Sequence, residues 1–239
     1  MATFVLVHGG WCGGWIWQRV SRRLRLAGHE VYTPTLTGMG ERVHLARPEI
    51  DLDTHVLDIA NMLEAEDLHD VVLAGHSYAG MVITGVAERM AERIAHLVYL
   101  DAFVPQDGDA LLDLLAPEAR RMTEDLLRDS DDGWRVLSPG DTTTPRPWPP
   151  LNPHFTPHPW KTFSQPLALN NAAAGLLPRT YVRCTADKAP GEFMAGSFDE
   201  SFRRARAGSW RIREVDGFHY EGIAGELGAA TLLELFPGA

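Results

Sequence analysis

Hydrophobic positions along the chain fall into two alternating rhythms. Short continuous apolar runs, of the kind a strand buried on both faces shows, occur at residues 3–7 (Thr-Phe-Val-Leu-Val), 71–74 and 95–100. Between them lie longer stretches with apolar residues at helical spacing: Ile16, Val20 and Leu24 within 15–27, Val56, Ile59 and Leu63 within 53–68, and Val82, Val86 and Met90 within 81–93. Gly28 follows the first of these helices as a C-cap, and Asp53 stands near the start of the second. Residues 29–36 read as a further strand, with a loop at 37–41. Beyond residue 178 come a strand at 180–185, a helix marked by Phe198 and Phe202, a strand at 209–215 and a terminal helix at 221–236. Strands and helices alternating at this spacing need parallel crossovers, so the pattern predicts an open parallel sheet with helices on both faces, an α/β fold.

The rhythm breaks between Pro105 and Pro178. Short helices are expected at 111–115 and 118–127, after which 144–159 is crowded with proline beside Trp148 and Phe155, and Trp160 follows. Proline at that density excludes a regular helix or a central strand. The stretch is too long for a plain connection and too apolar for solvated disorder, and is read as a cap over the carboxyl ends of the strands. The domain reading is therefore 1–104 and 179–239 as core and 105–178 as cap; no internal repeat is visible.

Composition narrows the partners. With 239 residues, 45% of them hydrophobic, the chain suits one core carrying an inserted cap. A formal net charge of −10 argues against nucleic acid, and Arg22-Arg23-Leu24-Arg25 reads as the solvated side of a helix. Cys12 and Cys184 suit a reducing compartment, so the expected location is the cytoplasm. The apolar run at 4–7 is too short for a secretory or membrane segment, and no membrane partner is expected.

Candidate chemistry centres on Gly75-His76-Ser77-Tyr78-Ala79-Gly80, a serine among small residues at a strand-to-helix junction. Such a turn holds its apex in a strained conformation and exposes the hydroxyl at a helix N-terminus; Ala79 stands where glycine is usual, a mild departure. Asp187 and His219 lie just past two later strands, and in an open parallel sheet those ends share one edge. The order Ser, Asp, His is that of the α/β-hydrolase triad. His219 would take the proton of Ser77 and Asp187 would orient the imidazole, while Asp101, which also ends a strand, is the alternative acid. The glycine-rich loop 8–14 after the first strand lacks P-loop and dinucleotide spacing; the backbone N–H groups of Gly10 and Tyr78 are the expected oxyanion donors. His154 and His158 do not make a metal pair, because Pro157 and Pro159 prevent the helix that would bring them together.

The segments Phe4-Val5-Leu6-Val7-His8-Gly9, Gly13-Gly14-Trp15 with Trp17, Ala27-Gly28-His29, Gly75-His76-Ser77, Ala102-Phe103-Val104-Pro105 and Cys184-Thr185-Ala186-Asp187-Lys188 resemble the plant methylesterase and hydroxynitrile lyase family of α/β-hydrolases, which includes the salicylic-acid-binding methylesterases. The resemblance covers nearly the whole chain outside the cap. It implies a six-stranded, mainly parallel α/β-hydrolase core with a cap inserted after the strand ending at Asp101, Asp187 as the triad acid, and neither metal nor organic cofactor. The lyases of the family carry a threonine where this chain has Gly9 and a lysine where it has Tyr220, so the resemblance favours ester hydrolysis. Tyr220 also replaces the apolar residue usual in the esterases, and Trp11 stands where a small cysteine is common.

The expected function is a serine carboxylesterase acting on small to medium esters, aromatic or alicyclic ones included, through an acyl-enzyme on Ser77. Gly9, Trp11, Phe103, Trp148, Phe155, Trp160 and Tyr220 are the candidate substrate-binding residues. The alternatives are a lyase or secondary-metabolite tailoring enzyme on the same fold, or a ligand-binding protein with vestigial activity. A small-molecule ester is the expected partner, and a homodimer is compatible with the reading.

Overall fold

The run Thr3–Val7 forms the first strand, β1, and every residue of it after Thr3 is buried. In this computed structural model residues 1–138, 154–186, 194 and 196–237 are described. After β1 come α1 (Gln18–Leu26), β2 (Glu30–Tyr32), α2 (Leu52–Ala65), β3 (Val71–His76), α3 (Ala79–Met90) and β4 (Ile94–Leu100). The inserted region holds α4 (Leu111–Leu114), α5 (Pro117–Arg128), β5 (Arg135–Val136), β6 (His158–Pro159), α6 (Lys161–Ser164) and α7 (Ala172–Leu176). The core then resumes with β7 (Arg179–Cys184), α8 (Asp199–Ala207), β8 (Arg211–Val215), α9 (Glu221–Ala224) and α10 (Glu226–Leu235).

Six strands form one sheet in the order β2-β1-β3-β4-β7-β8, with every neighbouring pair parallel. Alternation along β1 divides the core in two. Phe4 and Leu6 join Trp17, Val20 and Leu24 from the α1 side and Leu232 of α10, whereas Val5 and Val7 join Val56 and Ile59 of α2 and Val82 and Val86 of α3. Each such fully buried aliphatic side chain contributes roughly 2 kcal/mol by leaving water. The fold is the α/β-hydrolase arrangement the sequence predicts. Among the described residues no helix is long and apolar enough to cross a membrane.

Several elements are shorter than their periodicity suggests. The strand expected at 29–36 pairs with β1 only from Glu30 to Tyr32, because Pro34 has no N–H to continue a ladder. The loop expected at 37–41 turns into a 3-10 helix at Gly40–Leu45. Helix α2 carries Asp53 in its first turn, as expected, and is capped by Asp51, whose carboxylate accepts from Thr54 N at 2.9 Å, completing a capping box. The terminal helix is broken at Gly225, whose extended backbone separates α9 from α10. Residues 139–153, in the proline-rich part of the insertion, lie outside the described residues, but His158–Pro159 makes a two-residue antiparallel ladder with Arg135–Val136.

What positions the site is register. On β3 and β4, His76 pairs with Leu100, so Ser77 and Asp101 emerge side by side at one end of adjacent central strands. The amide of Asp101 continues the ladder onto the other neighbour, donating to Val182 O at 2.7 Å.

Candidate active site

Ser77 occupies the turn between β3 and α3 with φ 56, a left-handed conformation that costs a side chain on the order of 1 kcal/mol. Its carbonyl accepts from the N–H groups of Gly80 and Phe103, both at 3.1 Å. Small residues are demanded at definite places. A Cβ on Gly75 would stand 2.7 Å from Ala79 O, and one on Gly80 would stand 2.0 Å from Phe103 O. The close approach therefore falls on Gly75 and Gly80, which is why Ala79 is tolerated between them.

Asp101 is also left-handed, at φ 44, and is 1% exposed. One carboxylate oxygen accepts from Cys184 N at 3.3 Å, and the other lies 2.7 Å from His219 Nδ1. An Nδ1–H directed at Asp101 leaves Nε2 of a neutral imidazole as its basic nitrogen. The ring of His219 packs against His76 at 4.4 Å and Phe198 at 4.6 Å, and His76 Nε2–H donates to the His219 carbonyl at 2.9 Å. The histidine is thus held beside the residue preceding Ser77. Asp187 and Trp148 lie outside the described residues.

Gly9 and Gly10 adjoin the serine turn. A Cβ on Gly9 would meet His76 Nδ1 at 2.9 Å and Ser77 Cβ at 3.0 Å, so that position has no room for a side chain. One built on Gly10 would lie 3.9 Å from Tyr78 Cβ, which places the two expected oxyanion donors on facing segments. Among the described residues neither N–H is given to a protein acceptor. His8 secures the loop from below: Nδ1–H donates to Gly9 O at 2.8 Å and Nε2 accepts from Leu36 N at 3.0 Å. Burial keeps this imidazole neutral, lowering its pKa to about 4.

The remaining candidate residues divide. Phe103 is fully buried and packs on Phe198 at 4.8 Å. Phe155 meets both Trp15 and Tyr220 edge to face at 5.5 Å, while Trp160 packs at the margin of the larger core cluster. Trp11, 7% exposed with φ 61, joins the loop to the inserted region, since its indole N–H donates to Val136 O at 3.2 Å. Tyr220 directs its hydroxyl to Gly10 O at 2.9 Å.

A buried histidine layer escapes the sequence reading. His158 accepts from Trp11 N at 3.3 Å through Nδ1 and meets Thr162 Oγ1 at 2.8 Å through Nε2. His55 Nε2–H donates to Thr37 O, so its Nδ1 accepts from the Tyr78 hydroxyl, both at 2.9 Å. Burial lowers the pKa of both rings and raises that of Tyr78. No spacing in the sequence marks these contacts, and the bond from Trp11 N to His158 joins segments 147 residues apart. With both nitrogens of His158 occupied, it is no metal ligand; among the described residues no group of His, Cys, Asp or Glu could hold a metal ion.

A strained serine beside a glycine loop, on the sheet edge that also joins a histidine to a buried carboxylate, fits the arrangement that nucleophilic ester cleavage uses. The chain belongs to the alpha/beta hydrolase family, whose model matches residues 4–220, and it is an ester hydrolase. A carbendazim hydrolyzing esterase from Nocardioides sp. (strain SG-4G) is 41% identical over 212 residues, covering 83% of this chain and 87% of that one. Salicylic acid-binding protein 2 of Nicotiana tabacum is 33% identical over 105 residues, 43% of this chain and 40% of that protein. Among solved structures, an extracellular alpha/beta-hydrolase from a Paenibacillus species superposes with a TM-score of 0.76 at 24% identity, covering 98% of both chains.

Proposed function

We propose that the chain hydrolyses small to medium esters through an acyl-enzyme on Ser77, with His219 as general base and Asp101 as the acid that orients it. The observation that carries this reading is the 2.7 Å contact between His219 Nδ1 and the buried Asp101 carboxylate. His219 Nε2 takes the hydroxyl proton as Ser77 Oγ attacks the carbonyl carbon, and the N–H groups of Gly10 and Tyr78 stabilise the oxyanion. Imidazolium then protonates the departing alkoxide, and a water activated by the same nitrogen cleaves the acyl-enzyme.

Asp101 replaces Asp187 in this reading because its carboxylate has a partner on each oxygen and is otherwise removed from water. Ester hydrolysis rather than cyanohydrin cleavage is supported at two positions: Gly9 has no room for a threonine side chain, and neutral Tyr220 spends its hydroxyl on Gly10 O. The aromatic rings of Phe155, Trp15 and Tyr220 favour planar or alicyclic substrates. Given its Nocardioides relative, carbendazim belongs in the substrate panel.

The test combines p-nitrophenyl ester turnover with covalent labelling by a fluorophosphonate. Both are expected in the wild-type chain and neither in Ser77→Ala; labelling that persists in the variant removes Ser77 from the mechanism.

A further inference from the structure

The Gly10 N–H can stabilise an oxyanion only if its direction is fixed, yet glycine is the residue whose backbone is least able to fix itself. What holds it is visible in the two peptide units that meet at its Cα. In the first, Gly9–Gly10, the carbonyl accepts from His8 Nδ1–H at 2.8 Å, and planarity turns the N–H the opposite way. The second, Gly10–Trp11, is gripped on both edges: its carbonyl accepts the Tyr220 hydroxyl at 2.9 Å, and its N–H donates to His158 Nδ1 at 3.3 Å.

The two grips come from different parts of the molecule. Tyr220 follows His219 in the core, and its hydroxyl accepts from the Cys12 thiol at 3.4 Å, a proton that burial retains by pushing the thiol up to about 12. His158 comes from the inserted region and is fully buried, stacked on Phe163 with ring centroids 4.3 Å apart. Thr162 gives its own proton to Pro159 O at 2.7 Å, so it accepts from His158 Nε2–H and leaves Nδ1 as the acceptor Trp11 needs. Two more bonds bind Trp11 to the same region: Thr156 N donates to Trp11 O at 2.9 Å and Trp11 Nε1 donates to Val136 O at 3.2 Å. These offset the positive φ of Trp11, which no glycine relieves.

We propose that Tyr220 and His158 are positioning residues of the oxyanion hole, clamping the Gly10–Trp11 peptide from the core and from the inserted region so that the Gly10 N–H points at the developing oxyanion. The inserted region is then part of the catalytic apparatus rather than only a wall of the substrate site. This rests on Ser77 being the nucleophile. Tyr220, which stands where the lyases that this chain resembles carry a lysine, acts here through the backbone and needs no contact with substrate.

The test uses the full chain, a p-nitrophenyl ester and a trifluoromethyl ketone, which adds to Ser77 and places an oxyanion in the hole. Tyr220→Phe keeps the ring and loses the grip: kcat is expected to fall about tenfold with KM within about twofold, and the ketone's inhibition constant to weaken by the same factor as kcat. The pH dependence of kcat and the unfolding midpoint should stay in place. His158→Leu should lower kcat and the midpoint together, and His158→Asn, whose amide oxygen can accept from Trp11 N, should recover most of the kcat. A rise in KM at constant kcat in Tyr220→Phe, a displaced pH profile, or ketone affinity that does not follow kcat would overturn the clamp. So would equal kcat loss in the two His158 variants. Turnover that survives Ser77→Ala would instead sink the nucleophile assignment, a different result from unchanged Tyr220→Phe with inactive Ser77→Ala.

Discussion

Gly80 and Phe103 meet backbone to backbone, so closely that a methyl on the glycine would stand 2.0 Å from the phenylalanine's carbonyl oxygen. Because the Phe103 N–H also donates to Ser77 O at 3.1 Å, any displacement there reaches the nucleophile. Gly80→Ala is expected to cost about 3 kcal/mol or more, despite alanine's better helix propensity, and to depress turnover. Gly28 is the control: its φ is +84 with nothing within 4 Å, so Gly28→Ala should cost only about 1 kcal/mol of strain and leave turnover intact. Urea unfolding and ester assays on both variants measure the contrast.

Replacing Asp101 with asparagine keeps the shape but offers His219 a weaker, neutral partner. A kcat loss on the order of 10⁴ is expected for Asp101→Asn, with a much smaller one for Asp187→Asn. The opposite ranking would return the acid role to Asp187.

Acid should unfold the chain early. The pKa of His8 is about 4 in the fold against an ordinary value of 6.5, so between those pH values the unfolded chain binds the proton and the folded chain does not. Stability from this group is therefore complete above pH 6.5 and falls as the pH drops towards 4, by about 3 kcal/mol in all. Buried His55 and His158 act in the same direction. Urea midpoints taken across this window should decline with acidification, and His8→Gln, though less stable at neutral pH, should lose less; an equal slope in the variant would show that His8 does not titrate as described.

A smaller effect is expected at the start of α2. Asp51→Ala removes the acceptor for Thr54 N and half of the capping box, and should cost about 1 kcal/mol without changing KM. A change in KM there would mean that α2 moves in the substrate site.

Where the sequence was readable, local chemistry dictated the outcome. The run ending at Val7, the small residues around Ser77 and the helical spacing of Val82, Val86 and Met90 each specify a local backbone state that the observed fold satisfies. Asp101 and Asp187 both follow strands in the sequence; the structure adds the approach of His219 to Asp101, and Asp187 lies outside the described residues. Tyr220 and Trp11 stand out in the sequence as unusual residues and candidate substrate contacts; that their polar atoms also serve Gly10 and the inserted region depends on contacts across 210 and 125 residues. His158 shows in the sequence only as a candidate metal ligand, since nothing in a proline-flanked histidine announces a buried tautomer.

The pairing of Asp101 with His219 spans 118 residues, and Cys184 N, another donor to that carboxylate, also comes late in the chain. Asp101 thus precedes in the chain the elements that let its charge be buried at 1% exposure. An isolated carboxylate in that position costs several kcal/mol. Keeping Asp101 buried as a carboxylate therefore depends on β7 and on the segment after β8, both of which follow it by more than eighty residues in the chain.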